Sequence, residues 1–476
     1  MAFAATLLSL FAKADSVKID GIYYLLSDED MTAEVTSGSQ KYSGDIVIPA
    51  SFIHEDAEYS VTNIGNNAFR SCQGLTSIEI PNSVTSIGDN AFYECTELTS
   101  ISIPNSVTKM GNCVFMLCSG LTNITIPNTL TSIGDLSFGY CSSLEEIVVE
   151  EGNPTYDSRD NCNAIIETKT NTLKYGCKTT VIPSDVTSIG VYAFCGCTGL
   201  TNINMPNSIK SIEPYAFYLC EQLATIDIPK DVTYIGERAF LGCSSLTSIV
   251  IPEGITKIEI YTFKNCSNLT SITLPDGITW IGQQAFDGCA ALKDLEIPNS
   301  VTYIGENAFC ACGSLTTLSI PNSVTTLSRW AFYACIGLKE IIIGEGIQFI
   351  NHGAFGLCTG LTDVYCYAKD VPKTETSAFN GSYIHYLTLH VPEESISEYN
   401  SVLPWKDFKN IVKIEDSRQG DVNGDGIINS ADIVEMVNAI MGKPSGVFDS
   451  TAADLNGDGV INITDIIIIA NNILKK

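Results

Sequence analysis

A cysteine returns every 23 residues along most of this chain: Cys72, Cys95, Cys118 and Cys141, then Cys197, Cys220, Cys243, Cys266, Cys289, Cys312, Cys335 and Cys358. One interval departs from the rule, 56 residues from Cys141 to Cys197, or two periods plus ten. The residues between repeat as well, as in SIGDNAFYECTELTSISIPNSVT from Ser86 to Thr108. A fixed period of this length is the signature of stacked coils, because one such unit cannot bury its apolar face alone and needs a neighbour to cover it. The 476 residues therefore need not divide into several globules, since one repeat array absorbs the length.

Within a unit, Leu98, Ile101 and Ile103 carry the L-x-x-I-x-I spacing of a leucine-rich repeat strand. Alternation places Ile101 and Ile103 on one face and Ser102 on the other. Pro104 and Asn105 end the strand, since proline lacks a ladder donor and asparagine suits a turn. Val107, Ile87, Ala91 and Phe92 are the remaining expected inward positions. At roughly 4.8 Å between strands, twelve rungs predict an array on the order of 60 Å long. Equivalent cysteines on stacked rungs project in parallel, whereas a disulfide needs converging Cβ atoms, so the ladder reads as buried thiols. Cys162 and Cys177, inside the irregular unit, are the better disulfide candidates.

The consensus I-G-x-x-A-F-x-x-C-x-x-L-T-x-I-x-I-P-x-S-V-T, with the insert NCNAIIETKTNTLKYGCKTTVIP at Asn161–Pro183, closely resembles BspA-type bacterial leucine-rich surface proteins from about Ile46 to Ile414. The resemblance implies a right-handed, β-rich repeat solenoid that works outside the cell, with adhesion to an extracellular protein or glycan as its expected task. The organisation expected is a signal peptide at 1–14, an N-terminal β-rich cap at 15–61, the solenoid at 62–366, a C-terminal cap at 367–416 and a further small domain at 417–476. Ala2 to Ala12 are apolar or small, and Ala12-Lys13-Ala14 offers a cleavage site, although no Lys or Arg precedes the run; a buried N-terminal helix is the competing reading. DIVIPASF at Asp45–Phe52 reads as a degenerate first rung, and the aromatic and Ser-Glu-rich segment from Tyr383 to Ile414 breaks the period to shield the last open edge.

The chain carries 26 basic and 54 acidic residues, a formal charge of −28, which disfavours nucleic acid and anionic membrane as partners. Past the N-terminal run, no stretch is long and apolar enough for membrane insertion. The outward strand positions, from Glu79, Ser102 and Thr125 through to Ser319 and Ile342, are mostly hydroxyls with scattered carboxylates, either a recognition face or solvated surface. One residue before the repeated Ile-Gly, the series Ser188, Ser211, Tyr234, Lys257, Trp280, Tyr303, Thr326, Phe349 gathers aromatics. Tyr234, Trp280, Tyr303 and Phe349 are thus a candidate ligand patch, against the alternative that a half-buried position tolerates large side chains.

The tail has a different grammar. DVNGDGIINSAD begins at Asp421 and DLNGDGVINITD at Asp454. A calcium loop needs oxygens at positions 1, 3, 5, 7, 9 and 12, with glycine at 6. The first loop offers Asp421, Asn423, Asp425, the Ile427 carbonyl, Asn429 and Asp432; the second offers Asp454, Asn456, Asp458, the Val460 carbonyl, Asn462 and Asp465. Two calcium ions are expected. Neither loop has a plausible amphipathic helix before it, and each is followed by one, roughly Ala431–Met441 and Thr464–Leu474. A duplicated loop-plus-helix of this kind resembles a type I dockerin, which implies docking to a cohesin-bearing partner through loop positions 10 and 11, here Ser430, Ala431, Ile463 and Thr464. The two copies differ there, which puts symmetric two-way docking in doubt, and Asn438 and Asn471 stand where basic residues are usual in that family. A calcium-stabilised cap without a partner is the plainer alternative.

Four histidines, His54, His352, His385 and His390, neither recur with the repeat nor fall in a ligand or nucleophile motif, and no phosphate loop follows a strand. The expectation is a non-catalytic exported binding protein. Membership of a polysaccharide-degrading dockerin–cohesin assembly is the second reading and a polysaccharide-active enzyme the third.

Overall fold

A computed structural model describes residues 16–293, 295–414, 420–424, 428–444 and 448–474. The expected signal peptide lies outside them, as do the predicted ligands Asp425 and Ile427. The chain forms two compact units, divided after Ser244.

In the first unit, strands Val17–Ile19, Ile22–Ser27 and Thr32–Thr36 form an antiparallel meander, and the last of them pairs in parallel with Ala57–Ile64. Ile64 opens a parallel ladder through Ile87, Met110 and Ile133. The irregular unit supplies its own meander, Tyr156–Asp157, Ala164–Glu167 and Thr172–Gly176, whose Leu173 restarts the ladder through Ile189, Ile212 and Ile235. A second parallel ribbon carries the L-x-x-I-x-I segments. Gly44–Val47 pairs with Leu75–Glu79, Asn123–Ile126 with Glu146–Val149, and Asn202–Ile203 with Thr225–Ile226.

The second unit repeats the plan. One six-stranded parallel sheet runs from Lys257–Ile258 through Trp280, Tyr303, Thr326 and Phe349 to Lys373–Thr374. A five-stranded one runs Thr317–Ile320, Glu340–Ile343, Asp363–Cys366, Thr388–Val391, Asn410–Lys413. The last two of these strands lie in the segment read as a break in the period, so the backbone ladder continues where the side-chain consensus has stopped. Backbone pairing needs only extended residues in register, not the consensus side chains. Most coils thus carry two strands, where the sequence pattern showed one; the Ser-Ile strand is two residues long, too short to leave an alternating signature.

The expected inward positions all face the core: Leu98, Val107, Ala91 and Phe92 are fully buried, and Ile87, Ile101 and Ile103 nearly so. Phe92 belongs to a column. Phe69, Phe92, Phe115 and Phe138 stack at centroid separations of 5.2, 5.4 and 5.8 Å. In the second unit Phe263, Phe286, Phe309, Phe332, Phe355 and Phe379 do the same at 5.4, 5.0, 5.2, 5.8 and 5.4 Å. Tyr42 covers one end of the first unit's column at 4.8 Å, and Trp405 and Phe408 meet Phe379 edge-on at one end of the second unit's column.

The ladder cysteine completes this column. The thiol of Cys95 donates to the Phe69 carbonyl at 3.2 Å, 26 residues back in the preceding coil, and Cys118, Cys141, Cys220, Cys312 and Cys335 repeat the bond at 3.0–3.3 Å. All 18 cysteines are free thiols. Cys162 and Cys177, the sequence-level disulfide candidates, instead point at the carbonyls of Ala164 and Asn163. The repeated glycine has its own reason. A Cβ at Gly111 would lie 2.7 Å from the Asp89 nitrogen and 2.8 Å from the Gly88 carbonyl carbon, so the coils touch there backbone to backbone.

The tail has a separate core, in which Val422, Met436, Ala453 and Ile469 are fully buried. Its helices are Ser430–Ile440 and Ile463–Leu474, within a residue of the expected exit helices at their starts. A single helical turn, Ser450–Ala453, capped by the Asp449 carboxylate, precedes the second loop, where the sequence showed no helix.

Two outcomes follow. Phe309→Ala, which empties a site stacked on both sides, is expected to cost about 3–5 kcal/mol, read as a lowered urea midpoint of the array. Burial pushes the Cys141 and Cys358 thiols from the ordinary 9.0 up to about 12. Because the folded pKa is raised, the stability these thiols contribute is whole below pH 9 and is lost as pH climbs from 9 through 12. The melting temperature is therefore expected to fall over that window, and ladder thiols are expected to resist maleimide at pH 8 until the chain is unfolded.

Candidate metal loops and ligand face

In the second loop every predicted position is described. The Asp454 carboxylate accepts from the backbone nitrogens of Asp458 (3.1 Å) and Gly459 (2.7 Å). Asn456 Oδ1 accepts from Asp458 N at 2.8 Å, Asp458 Oδ1 from Val460 N at 2.8 Å, and Asn462 Oδ1 from Thr464 N at 2.8 Å. Asp465, fully buried, bridges the loop's two ends by accepting from Asn456 N (3.1 Å) and Asn462 N (3.0 Å). Gly457 and Gly459 sit at φ +73° and +80°, the left-handed turns that wind these oxygens inward.

The first loop is built alike where it is described. Asp432 is fully buried; its carboxylate accepts from Val422 N (2.7 Å), Asn423 N (3.1 Å) and Asn429 N (2.9 Å), while Asn429 caps the following helix through Ala431 N. Asp421 is buried as well. The two loops are tied at their mouths, Gly420 N donating to Ala452 O (2.8 Å) and Asp449 N to Val422 O (2.9 Å).

The donor set is entirely oxygen: carboxylates, amide oxygens and one backbone carbonyl per loop, which fits a hard divalent cation of calcium's kind and not a thiolate- or imidazole-seeking metal. Among the described residues no group of three His, Cys, Asp or Glu side chains is gathered at metal-holding distance. The second-loop carboxylates accept from loop N–H groups, which hold the backbone in a tight turn.

Of the docking positions, Ser430, Ile463 and Thr464 are exposed and Ala431 is half-buried. The helices add what the sequence reading passed over. Val434, Val437 and Met441 stand on the first helix at 58, 37 and 63% exposure, and Ile463 and Ile467 on the last at 67 and 54%. A helix already burying Met436 on one side thus shows a second apolar stripe to solvent, at the i, i+3, i+7 spacing that marks one face. That spacing was in the sequence, but the pattern alone assigns apolar residues to a core.

The aromatic series splits between the units. Trp280 and Tyr303 are in register on adjacent strands and stack at 5.6 Å and 7°. Phe349 lies on the same sheet beyond Thr326, under the Lys373 ammonium at 5.7 Å. Tyr234 stands on the first unit's ladder next to Ser211. Tyr234 and Tyr303 are about two-fifths exposed, while Trp280 and Phe349 are half-buried. Two positions expected to face outward, Ser319 and Ile342, are buried instead. Ser319 pairs with Ile342 and Ile342 with Tyr365, whose ring stacks on His390 at 4.1 Å, so large neighbours on the ladder cover small ones. His390 is engaged with Asp363 at 2.9 Å.

Residues 51–163, 166–293 and 279–400 match the family described as BspA type leucine rich repeat region, and residues 419–474 match the Dockerin type I domain. Among solved structures, the chain is similar to a leucine rich cell surface protein from Faecalibacterium prausnitzii A2-165, at 29% identity over 74% of this chain and 94% of that one, with a TM-score of 0.51. It shares its fold with a leucine-rich repeat protein from Eubacterium ventriosum ATCC 27560, at 24% identity over 67% and 94% of the two chains, TM-score 0.52. No protein of curated function matches it.

Asp432→Ala leaves three backbone donors without their carboxylate, at an expected cost of at least about 3 kcal/mol. Peptides spanning Ser430–Ile440 are then expected to exchange amide hydrogens on the order of 100-fold faster than in the parent chain, with the coils unchanged.

Proposed function

The chain belongs to the BspA-type leucine-rich repeat family, and from that premise we propose that it is an exported, non-catalytic binding protein whose coils hold an extracellular protein or glycan while its tail docks to a second protein. Support for export comes from the likeness to a cell surface protein of Faecalibacterium prausnitzii and from the N-terminal apolar run with its cleavage site. Among the described residues, no helix is long and apolar enough to cross a membrane.

The tail is the proposed connector. Its residues 421, 423, 425, 427, 429 and 432, and 454, 456, 458, 460, 462 and 465, are the proposed ligands of two calcium ions. Bound calcium would supply positive charge that lets several carboxylates share one small volume. The chain's own part is to bring those oxygens to the turn, with Asp432 and Asp465 clamping the backbone of each loop and the paired mouths coupling one loop to the other. Docking follows from the exposed apolar stripe beside Ser430 and Ala431, which a cohesin-type partner would cover. The observation that carries this reading is that stripe, on a helix whose opposite side is already buried. The last helix presents Ile463-Thr464 where the first presents Ser430-Ala431, so a single docking orientation is favoured over two equivalent ones. On the coils, the stacked Trp280–Tyr303 pair is the proposed contact for an apolar or sugar-ring surface.

Calorimetry with calcium is expected to give two ions per chain, and Asp458→Ala one. Capture of a cohesin-type partner is expected to vanish with chelator and with Val434→Asp, while capture by the coils persists through both. Uptake of no calcium, or docking that survives chelation, would remove the connector from the proposal.

A further inference from the structure

The glycine row of the coils is abandoned at one place for three coils running. Gly282 and Gly305 are followed by Ser328, Asn351 and Glu375 at the equivalent position. A Cβ on Gly305 would lie 2.5 Å from the Gln283 nitrogen, so side chains enter this row only where the contact between coils is relaxed. Elsewhere the exceptions are single: Glu213 and Glu259 each have glycine in the coils on either side. Where three stand together, the second unit has a cavity of about 420 Å³, lined by Arg329, Trp330, Asn351, His352 and Glu375. That volume falls within the roughly 300–1,000 Å³ of small-molecule sites.

The lining is positioned rather than merely exposed. Ser328 Oγ and Asn351 Nδ2 bond the carbonyls of Ile304 and Leu327 in the coil before them, at 2.5 and 2.9 Å, which fixes the opened edge. Asn351 Oδ1 is left for a ligand. Trp330 occupies the left-handed turn position of its coil at φ 53°, and the next coil carries Gly353 opposite; a Cβ there would lie 2.4 Å from the indole Cδ1. His352 meets the indole edge-on at 5.4 Å and is held through Nδ1 by Ser377 Oγ at 2.5 Å, which leaves Nε2 unused.

We propose that this cavity is a saccharide site, taking one neutral or N-acetylated pyranose of a glycan chain; the proposal rests on the reading of the coils as a binding surface and gives that surface an address. The chemistry selects the class. An indole offers a flat apolar wall for the C–H face of a pyranose. Arg329 donates, Glu375 and Asn351 Oδ1 accept, His352 Nε2 does one or the other according to its tautomer, and each sugar hydroxyl does both. The opposed charges of Arg329 and Glu375 leave no net charge for a uronic or sialic carboxylate to seek. The site stands apart from the Trp280–Tyr303 pair, so the two are separable by mutation.

The test uses the full chain with calcium on a printed panel of neutral, N-acetylated, uronic and sialylated oligosaccharides, each captured glycan then titrated in solution. Neutral or N-acetylated glycans are expected to bind, with affinity falling at least about tenfold in Trp330→Ala and in Glu375→Gln and unchanged in Tyr386→Ser, a change at an exposed residue outside both surfaces. Glu375→Gln alters one exposed carboxylate and guards against misfolding as the cause. Binding lost in Tyr303→Ser and kept in the two cavity variants would overturn the cavity site and leave the coils as the binding surface. Capture of acidic glycans alone, of free dipeptides in place of sugars, or of no glycan at all would overturn it too. A protein partner held by the coils in that last case would keep the broader reading intact.

Discussion

The register of one coil on the next is the constraint from which the rest of this protein follows. The strands and turns of each coil pass hydrogen bonds to the neighbouring coil, as when Phe92 N donates to Val114 O at 3.0 Å and Gly111 N to Ile87 O at 2.9 Å. Because these bonds recur every 22 to 24 residues, each residue is seated against its own counterpart, and the side chain chosen at a position must be compatible with itself. Phenylalanine meets that condition by offset stacking. Cysteine meets it by donating a thiol hydrogen to the carbonyl one coil back. Glycine meets it by having no side chain where two backbones touch.

Self-equivalence also decides what the surface can offer. A residue type repeated at one position becomes a row with the spacing of a β-sheet, about 4.8 Å, and two aromatics in such a row stack without further arrangement. Trp280 and Tyr303 are an instance. A concave site needs the opposite, a local failure of equivalence, and the array permits this only where several successive coils depart together. The Ser328, Asn351 and Glu375 run is such a departure, and its cavity is made of residues from three coils with no repeat of their own.

The tail obeys a different economy. Among the described residues its core is a cluster of four fully buried apolar side chains, and its two buried position-12 carboxylates each gather backbone donors from both ends of a loop. Folding of such a core is readily coupled to ligands and to a partner surface. The exposed Val434, Val437 and Met441 are consistent with that coupling, since apolar groups left in water on one helix face are what a partner would bury.

The sequence by itself determined the period, the inward residues of each coil and the spans of the two long tail helices, because in a parallel stack every contact is set by a residue's place in the repeat and its character. Leu98, Val107, Ala91 and Phe92 are buried as that logic requires, and Asp421 to Asp432 and Asp454 to Asp465 are loops whose donor order is local. Only the tertiary structure decided which of the strands at Ser-Ile and at L-x-x-I-x-I would pair, that Ser319 and Ile342 would be covered by their neighbours, that the ladder would run on through Thr388–Val391 and Asn410–Lys413, and that Trp330 would face Arg329, His352 and Glu375 across an opened edge. Each of these depends on the gap between one coil and the next. That gap is a property of several units packed together, and no single repeat carries it.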